Sequence, residues 1–225
     1  KIMNKVNFIS CTPNAEETIV EIARVSSKRT DKKSKPEGLI KYLIQHKHWS
    51  PFEHASMTLE IDTSKAIGIQ LIRHRSFTFQ EFSQRYQDVN QLGEMFEPIE
   101  LRKQSQDNRQ SSTEAFDPII RMESPLKLLI QKPSSVYINI YLEKTKILYD
   151  ELLKAGVARE TARMILPLCT KTKIYMTGTL RSWIHFFELR DDVHAQKEIQ
   201  IIAREGKELF MKQFPIISNT LNYKK

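Results

Sequence analysis

Glycine is scarce in this sequence. There are six among 225 residues, at positions 38, 68, 93, 156, 178 and 206, and no two lie within ten residues of each other. The dinucleotide fingerprint and the Walker A loop both need several glycines inside a short window to bring backbone N–H groups onto a phosphate. Both loops are therefore excluded, and any nucleotide must be held by other means. Cysteine is scarcer still: Cys11 and Cys169 make neither a framework of bridges nor a zinc-ligand set, which fits a reducing, cytoplasmic setting. No run approaches the ~18 uncharged apolar residues that cross a bilayer. The opening Lys1-Ile2-Met3-Asn4-Lys5 leads into no apolar signal core, so neither membrane insertion nor export is expected.

Positive charge is present in excess. Thirty-five Lys and Arg against 27 Asp and Glu leave a formal net charge of +8, which suggests an anionic partner. The 22 lysines are scattered, with Lys32, Lys33 and Lys35 the densest group, and form no long basic stripe. The 13 arginines are more selective: Arg73, Arg75 and Arg85 cluster, as do Arg159, Arg163, Arg181 and Arg190. A guanidinium is a planar fork that can hold phosphate, carboxylate or a uracil edge through two parallel hydrogen bonds.

Periodicity predicts helices over about Glu16–Ser27, Glu37–Gln45 behind Pro36, Tyr137 to Gly156, Arg159–Leu166, Leu180–Leu189 and Ala195–Phe210. A further helix, capped by Ser64, carries Ala66, Ile67, Leu71 and Ile72 inward and reaches Arg73 and His74 at its last turn. Alternation predicts strands at Ser56–Ile61 and Thr172–Thr177. The segment from about 90 to 135, with the nearly apolar-free stretch 102–115 at its centre, reads as a long mobile loop. Interleaved helices and a few strands make the chain α+β, and no linker divides it, so one domain over residues 1–225 is expected.

The densest polar group is Arg73-His74-Arg75, followed after seven residues by Ser83, inside RHRSFTFQEFSQRY. On a strand Glu81, Ser83 and Arg85 share a face; on a helix Glu81 and Arg85 meet at i,i+4. Either way a carboxylate and a guanidinium converge near a hydroxyl. Further on, Leu180, Trp183, Ile184 and Phe187 form an apolar helical stripe, while Arg181 and His185 form a polar one. Arg190 stands at that helix's end, where a cation also opposes the helix dipole.

Two other function classes meet the composition less well. A nucleic-acid-binding module could use Phe77, Phe79, Phe82 and Tyr86 as stacking platforms, but their interleaving with Glu81 suits a pocket better. A zinc-dependent hydrolase could use His46, His48 and His54, but Glu53 is the one acid in that stretch and no metal is expected.

The RHR-x7-S pattern resembles the signature of the flavin-dependent thymidylate synthases. Three further blocks agree in order and spacing: HWSPFEH at 48–54, ETARMILP at 160–167 and LRDDVHAQKEI at 189–199. The resemblance implies that family's fold, a small mostly antiparallel sheet among helices, and a homotetramer with active sites shared between subunits. It implies conversion of dUMP to dTMP with methylenetetrahydrofolate as carbon donor and FAD reduced by NADPH. It places His48, Ser50, Arg73, His74, Arg75, Glu81, Thr179, Leu180 and Arg181 at FAD, with His185 and His194 close by. Gln70, Arg73, Glu81, Ser83, Gln84, Arg85 and Arg163 would hold dUMP, and Arg190 would lie against the uracil ring.

The chemistry suits those assignments. Arg85 and Arg163 are fit to hold a phosphate dianion, and Arg73, Arg75 and Arg181 to meet a pyrophosphate. Arg190 would stabilise negative charge developing on the uracil edge. Arg190 and Ser83 are the candidate catalytic residues, but no histidine or lysine is set to activate Ser83 as a nucleophile, so its expected part is hydrogen bonding to a ligand. No cysteine nucleophile is expected, since neither thiol has an adjacent base. Gln80, Gln84, Thr179 and His185 depart from the residues common in the family.

Overall fold

Side-chain alternation lays down the centre of the fold, and the flanking helices cover one of its faces. The computed structural model describes residues 5–26, 35–123 and 128–223. Its elements run β1 (Lys5–Cys11), α1 (Ala15–Ala23), α2 (Pro36–Gln45), β2 (Ser56–Ser64), α3 (Lys65–Leu71), β3 (Phe77–Glu81), β4 (Arg102–Gln104), β5 (Ser112–Ala115), β6 (Ile119–Glu123), β7 (Leu129–Pro133), α4 (Ser134–Lys154), α5 (Arg159–Ala162), β8 (Lys171–Thr179), α6 (Leu180–Arg190), α7 (Lys197–Gln213) and α8 (Pro215–Thr220). This is the expected α+β class. Chain contacts gather into two compact units. The first takes Asn4–Asp62, Ile69–Glu81 and Lys173–Lys225, and the second takes Thr63–Gly68 and Phe82–Thr172.

The first unit carries a four-stranded sheet in the order β1-β2-β8-β3. β1 runs antiparallel to β2, from Lys5 opposite Asp62 to Cys11 opposite Met57. β3 runs antiparallel to β8, from Phe77 opposite Gly178 to Glu81 opposite Ile174. Between β2 and β8 the contacts Thr58–Thr177, Glu60–Tyr175 and Asp62–Lys173 progress in opposite senses, which makes that pair antiparallel as well. Met57, Leu59, Ile61, Ile174 and Met176 are fully buried on one face. On the other face Glu60 accepts from the Tyr175 hydroxyl at 2.5 Å and the Asn7 amide at 3.0 Å, and it pairs with Lys173. Those bonds, Tyr175's first, hold the Glu60 carboxyl down at about 2.

The buried face is covered by α6 and α7. Trp183, Phe186, Phe187 and Phe210 are almost wholly removed from water, and the Trp183 indole N–H donates to the Met57 carbonyl at 2.9 Å. Burial of each large side chain contributes roughly 1.5–3 kcal/mol. The helix α7 also packs on β1, and α2 packs on both α1 and α8.

In the second unit, α4 ends where Gly156 adopts a φ of 86°, a left-handed turn for which glycine costs little. Its core is Val89, Met95, Tyr149 and Ala162, with Leu152, Ile165 and Leu166 packed against them.

Several expectations require correction. The helix α3 stops at Leu71, because the chain turns there with the His74 N–H on the Leu71 carbonyl; Ile72 is 45% exposed and not inward. Strand β3 stops at Glu81, and Ser83 opens a turn whose carbonyl accepts from Tyr86 and Gln87, so Glu81, Ser83 and Arg85 share no strand or helix face. The stretch read as a loop contains two hairpins, β4–β5 and β6–β7. Strands β4 and β5 are joined by polar contacts, Lys103–Glu114 at 2.7 Å and Arg102–Ser112 at 2.9 Å, with no apolar alternation to reveal them. The first expected helix ends at Ala23 and continues as a 3-10 turn, Arg24–Ser26; Ser27, Lys32 and Lys33 lie outside the described residues. Strand β1 and helix α8 carry no expectation from the sequence.

One glycine is required by packing. A Cβ on Gly178 would lie 2.4 Å from ring carbons of Phe77, and that ring is held edge-on by Trp183 at 4.8 Å. Gly178→Ala is expected to destabilise the protein by about 1–3 kcal/mol through overpacking. A lowered urea midpoint would bear this out; an unchanged midpoint would contradict it.

Candidate functional site

The first unit places most of the predicted residues at the two ends of α6. Thr179 enters the helix with an extended backbone, and its hydroxyl accepts from the Ser182 N–H at 3.3 Å, satisfying one of the free donors of the first turn. Leu180, Trp183, Ile184, Phe186 and Phe187 face the core, which leaves Arg181, His185 and Glu188 exposed on the other side. A cleft of about 460 Å³ lies between that side and Trp49, Glu53 and Ser76. Arg181 donates to the Glu53 carboxylate across it. His48 and Ser50 flank Trp49 and are both exposed.

The Arg-His-Arg segment forms the turn between α3 and β3. The His74 N–H donates to the Leu71 carbonyl at 3.0 Å, and the Phe77 N–H donates to the His74 carbonyl at 3.1 Å. Arg73 and Arg75 point to solvent, and among the described residues neither is ion-paired. The His74 ring turns inward, edge-on to Phe186 at 5.0 Å.

There it meets Arg190, the last residue of α6, whose Nε–H donates to His74 Nε2 at 2.9 Å. A guanidinium can only donate, so Nε2 is a bare acceptor and the neutral ring carries its proton on Nδ1. Burial, and then the charges of Arg190 and His185, pull the His74 pKa down to about 4. Burial also lowers that of Arg190, which nonetheless stays charged. The neighbouring acids are engaged elsewhere. Asp191 binds Arg204 at 2.6 Å and also Lys207, and Asp192 binds His194 at 2.8 Å. Among the described residues Arg190 has no carboxylate partner. Gln70 donates to Gln196 at 2.6 Å, and Glu81 ends β3.

The second unit holds Ser83, Gln84, Arg85 and Arg163. Arg85 lies 3.6 Å from the Glu160 carboxylate, and Arg163 Nε donates to the Glu160 carbonyl at 3.3 Å, so one residue draws both arginines together. Gln84 is 6% exposed, and its Nε2 has no hydrogen-bond partner among the described residues. No histidine or lysine among them is hydrogen-bonded to the Ser83 hydroxyl.

Glu53, Ser76, Glu188 and Glu160 were not singled out from the sequence as site residues. Glu53 and Glu160 stand inside the quoted blocks HWSPFEH and ETARMILP, the first a lone acid beside His54 and the second a lone acid between Arg159 and Arg163. His46 is engaged locally: Nδ1–H donates to the Tyr42 carbonyl at 2.9 Å and the ring stacks on Tyr42. Among the described residues no group of three His, Cys, Asp or Glu is placed to hold a metal ion.

The depressed pKa of His74 has a definite sign in stability. Between about pH 4 and pH 6.5 the unfolded chain binds a proton there that the folded chain does not, so this contribution is complete above that window and is lost as the pH falls through it. Urea unfolding at intervals from about pH 7 to pH 4.5 is expected to show the native protein losing more stability than His74→Gln. Parallel profiles would refute the assignment of a neutral His74.

A family model described as thymidylate synthase complementing protein matches residues 7–216. The chain is 43% identical over 210 residues to a probable flavin-dependent thymidylate synthase of Paramecium bursaria Chlorella virus 1, covering 93% of this chain and 91% of that one. It is 43% identical over 228 residues to the flavin-dependent thymidylate synthase of Synechocystis sp., covering 97% and 99% respectively. The Thermus thermophilus flavin-dependent thymidylate synthase is 34% identical over 202 residues, 89% of this chain and 69% of that one. Matching at this identity across nearly the whole length, with the arginines and His74 of the RHR turn in place, the chain belongs to the thymidylate synthase complementing protein family, the flavin-dependent thymidylate synthases.

Proposed function

We propose that this chain methylates dUMP reductively to dTMP, taking the carbon from methylenetetrahydrofolate and reducing equivalents from NADPH through FAD. The observation that carries this reading is Arg190, a half-buried cation with a neutral partner and, among the described residues, no carboxylate. Such a charge is expensive to bury unless an anionic or electron-rich group completes it, and the uracil edge is one. Arg190 would lie against that ring and stabilise negative charge developing there.

The donor set fits FAD. Arg73 and Arg75 are exposed and, among the described residues, not paired with a carboxylate, and Arg181 borders a cleft large enough for part of a dinucleotide. These three would meet the pyrophosphate, with His48, Ser50, Glu81, Thr179, Leu180, His185 and His194 around the rest. Bound there, the flavin supplies hydride chemistry, which no side chain here can. In the second unit Arg85 and Arg163 would hold the dUMP phosphate, and the unsatisfied Gln84 amide supports a further donor to it. Gln70, Arg73, Glu81 and Ser83 complete the substrate contacts, Ser83 as a hydrogen-bonding group. A mechanism without a cysteine nucleophile is supported by both thiols, whose pKa burial raises. The two free thiols also accord with a cytoplasmic setting. Among the described residues no helix is long and apolar enough to cross a membrane. A homotetramer with shared sites belongs to the same reading, supported by the exposed Ile140, Tyr141, Ile147 and Leu148 of α4.

Purified protein should be yellow, and dTMP should form only when dUMP, methylenetetrahydrofolate and NADPH are supplied together. Arg190→Ala is expected to slow dTMP formation about 100-fold while flavin remains bound, the usual scale for loss of one electrostatic stabiliser; a normal rate would sink the role given to Arg190. Gln84→Ala should raise the dUMP dissociation constant about tenfold, read by calorimetry, as expected for one hydrogen bond to a charged group. Unaltered affinity would remove Gln84 from the substrate contacts.

A further inference from the structure

Arg190 could be held in place in several ways, and the choice of partner has chemical consequences. A carboxylate would orient the guanidinium and cancel its charge. Solvent would leave the charge intact and the side chain free to wander. The structure uses neither. Arg190 Nε–H is bound at 2.9 Å by an imidazole nitrogen 116 residues away in sequence. Asp191, the adjacent acid, is occupied by Arg204 and Lys207.

The imidazole is itself fixed. Its backbone is tied on both sides of the turn, through the Leu71 carbonyl and the Phe77 N–H. Its ring stands edge-on to Phe186 at 5.0 Å and 75°, and to Phe77 at 6.3 Å and 88°. Phe77 and Phe186 in turn pack on Trp183, so the ring sits against buried aromatic side chains of the first unit.

We propose that His74 is a positioning residue for Arg190: a neutral acceptor, locked by the aromatic core, that aims the guanidinium while leaving its full charge and its four terminal N–H groups for the substrate. This goes beyond a place for His74 among the flavin contacts, and it rests on the reading that Arg190 acts on the uracil ring. The geometry makes the neutral state of His74 part of the device. A group that both donated and carried positive charge would lose the bond and repel the arginine.

The test is a double-mutant cycle on the holoenzyme, with FAD at saturation and rates expressed per bound flavin. His74→Leu removes the acceptor and is expected to slow dTMP formation about 30-fold and to weaken dUMP binding, both by more than any change in NADPH-driven flavin reduction measured on the same samples. In His74→Leu/Arg190→Ala the loss should remain within about twofold of Arg190→Ala alone, since one residue acts through the other. His74→Gln, which offers a neutral acceptor near the same point, should recover at least about tenfold of what His74→Leu loses. Losses that multiply in the double variant, or a His74→Leu defect confined to flavin binding and reduction, would overturn the proposal. An Arg190→Ala enzyme with a normal rate would instead contradict the underlying reading of Arg190, and so separates the two failures.

Discussion

The hydrogen bond from Arg190 to His74 joins the C-terminal end of α6 to the aromatic core of the first unit. It forms because α6 ends at Arg190 and because the turn after α3 pins His74 beside it. Behind the imidazole stand Phe77 of β3 and Phe186 and Trp183 of α6, a helix that covers the sheet. A shift of β3 on β8 would therefore move the imidazole, and with it the guanidinium. Gly178 sits opposite Phe77 at this point, where a larger residue would push the ring. Packing and electrostatics are in this sense one constraint.

On the proposed function, the scarcity of glycine goes with a different manner of holding phosphate. A glycine-rich loop presents backbone N–H groups, whereas this chain presents guanidinium forks set in place by acidic neighbours. Arg181 rests on Glu53 in the first unit, and Arg85 on Glu160 in the second. Exposed pairs of this kind contribute about 0–1 kcal/mol each, so a phosphate can displace the carboxylate at small cost. Arg73 and Arg75 need no such displacement. Arg190 differs from all of these, since its partner is neutral and its charge is retained.

Much of this was legible in the sequence, and the limits have physical causes. The periodic helices were readable because each buries a stripe, as the alternation of exposed Arg181 and His185 with buried Trp183, Ile184 and Phe187 in α6 demonstrates. The alternation of Met57, Leu59 and Ile61 likewise announced β2. The hairpins β4–β5 and β6–β7 were not readable, because their residues are mostly exposed and carry no buried face to impose a period of two. The early stop of α3 was hidden because Ile72 continues the apolar pattern although it is exposed. The Arg-His-Arg turn, Arg181 and Arg190 were found from their residue types and order. That Arg181 meets Glu53, Arg85 meets Glu160 and Arg190 meets His74 is a matter of tertiary contact, across 116 residues in the last case, which no local spacing encodes.

A neutral imidazole holds a charged, uncancelled Arg190. The most direct measurement is the ¹⁵N spectrum of the His74 ring, assigned by comparison with His74→Gln and followed from about pH 8 to pH 4. The expected spectrum shows a protonated Nδ1, a bare Nε2 that accepts a hydrogen bond, and no titration until the pH approaches about 4. A ring that titrates near its ordinary pH of about 6.5, or that carries its neutral-state proton on Nε2, would contradict it.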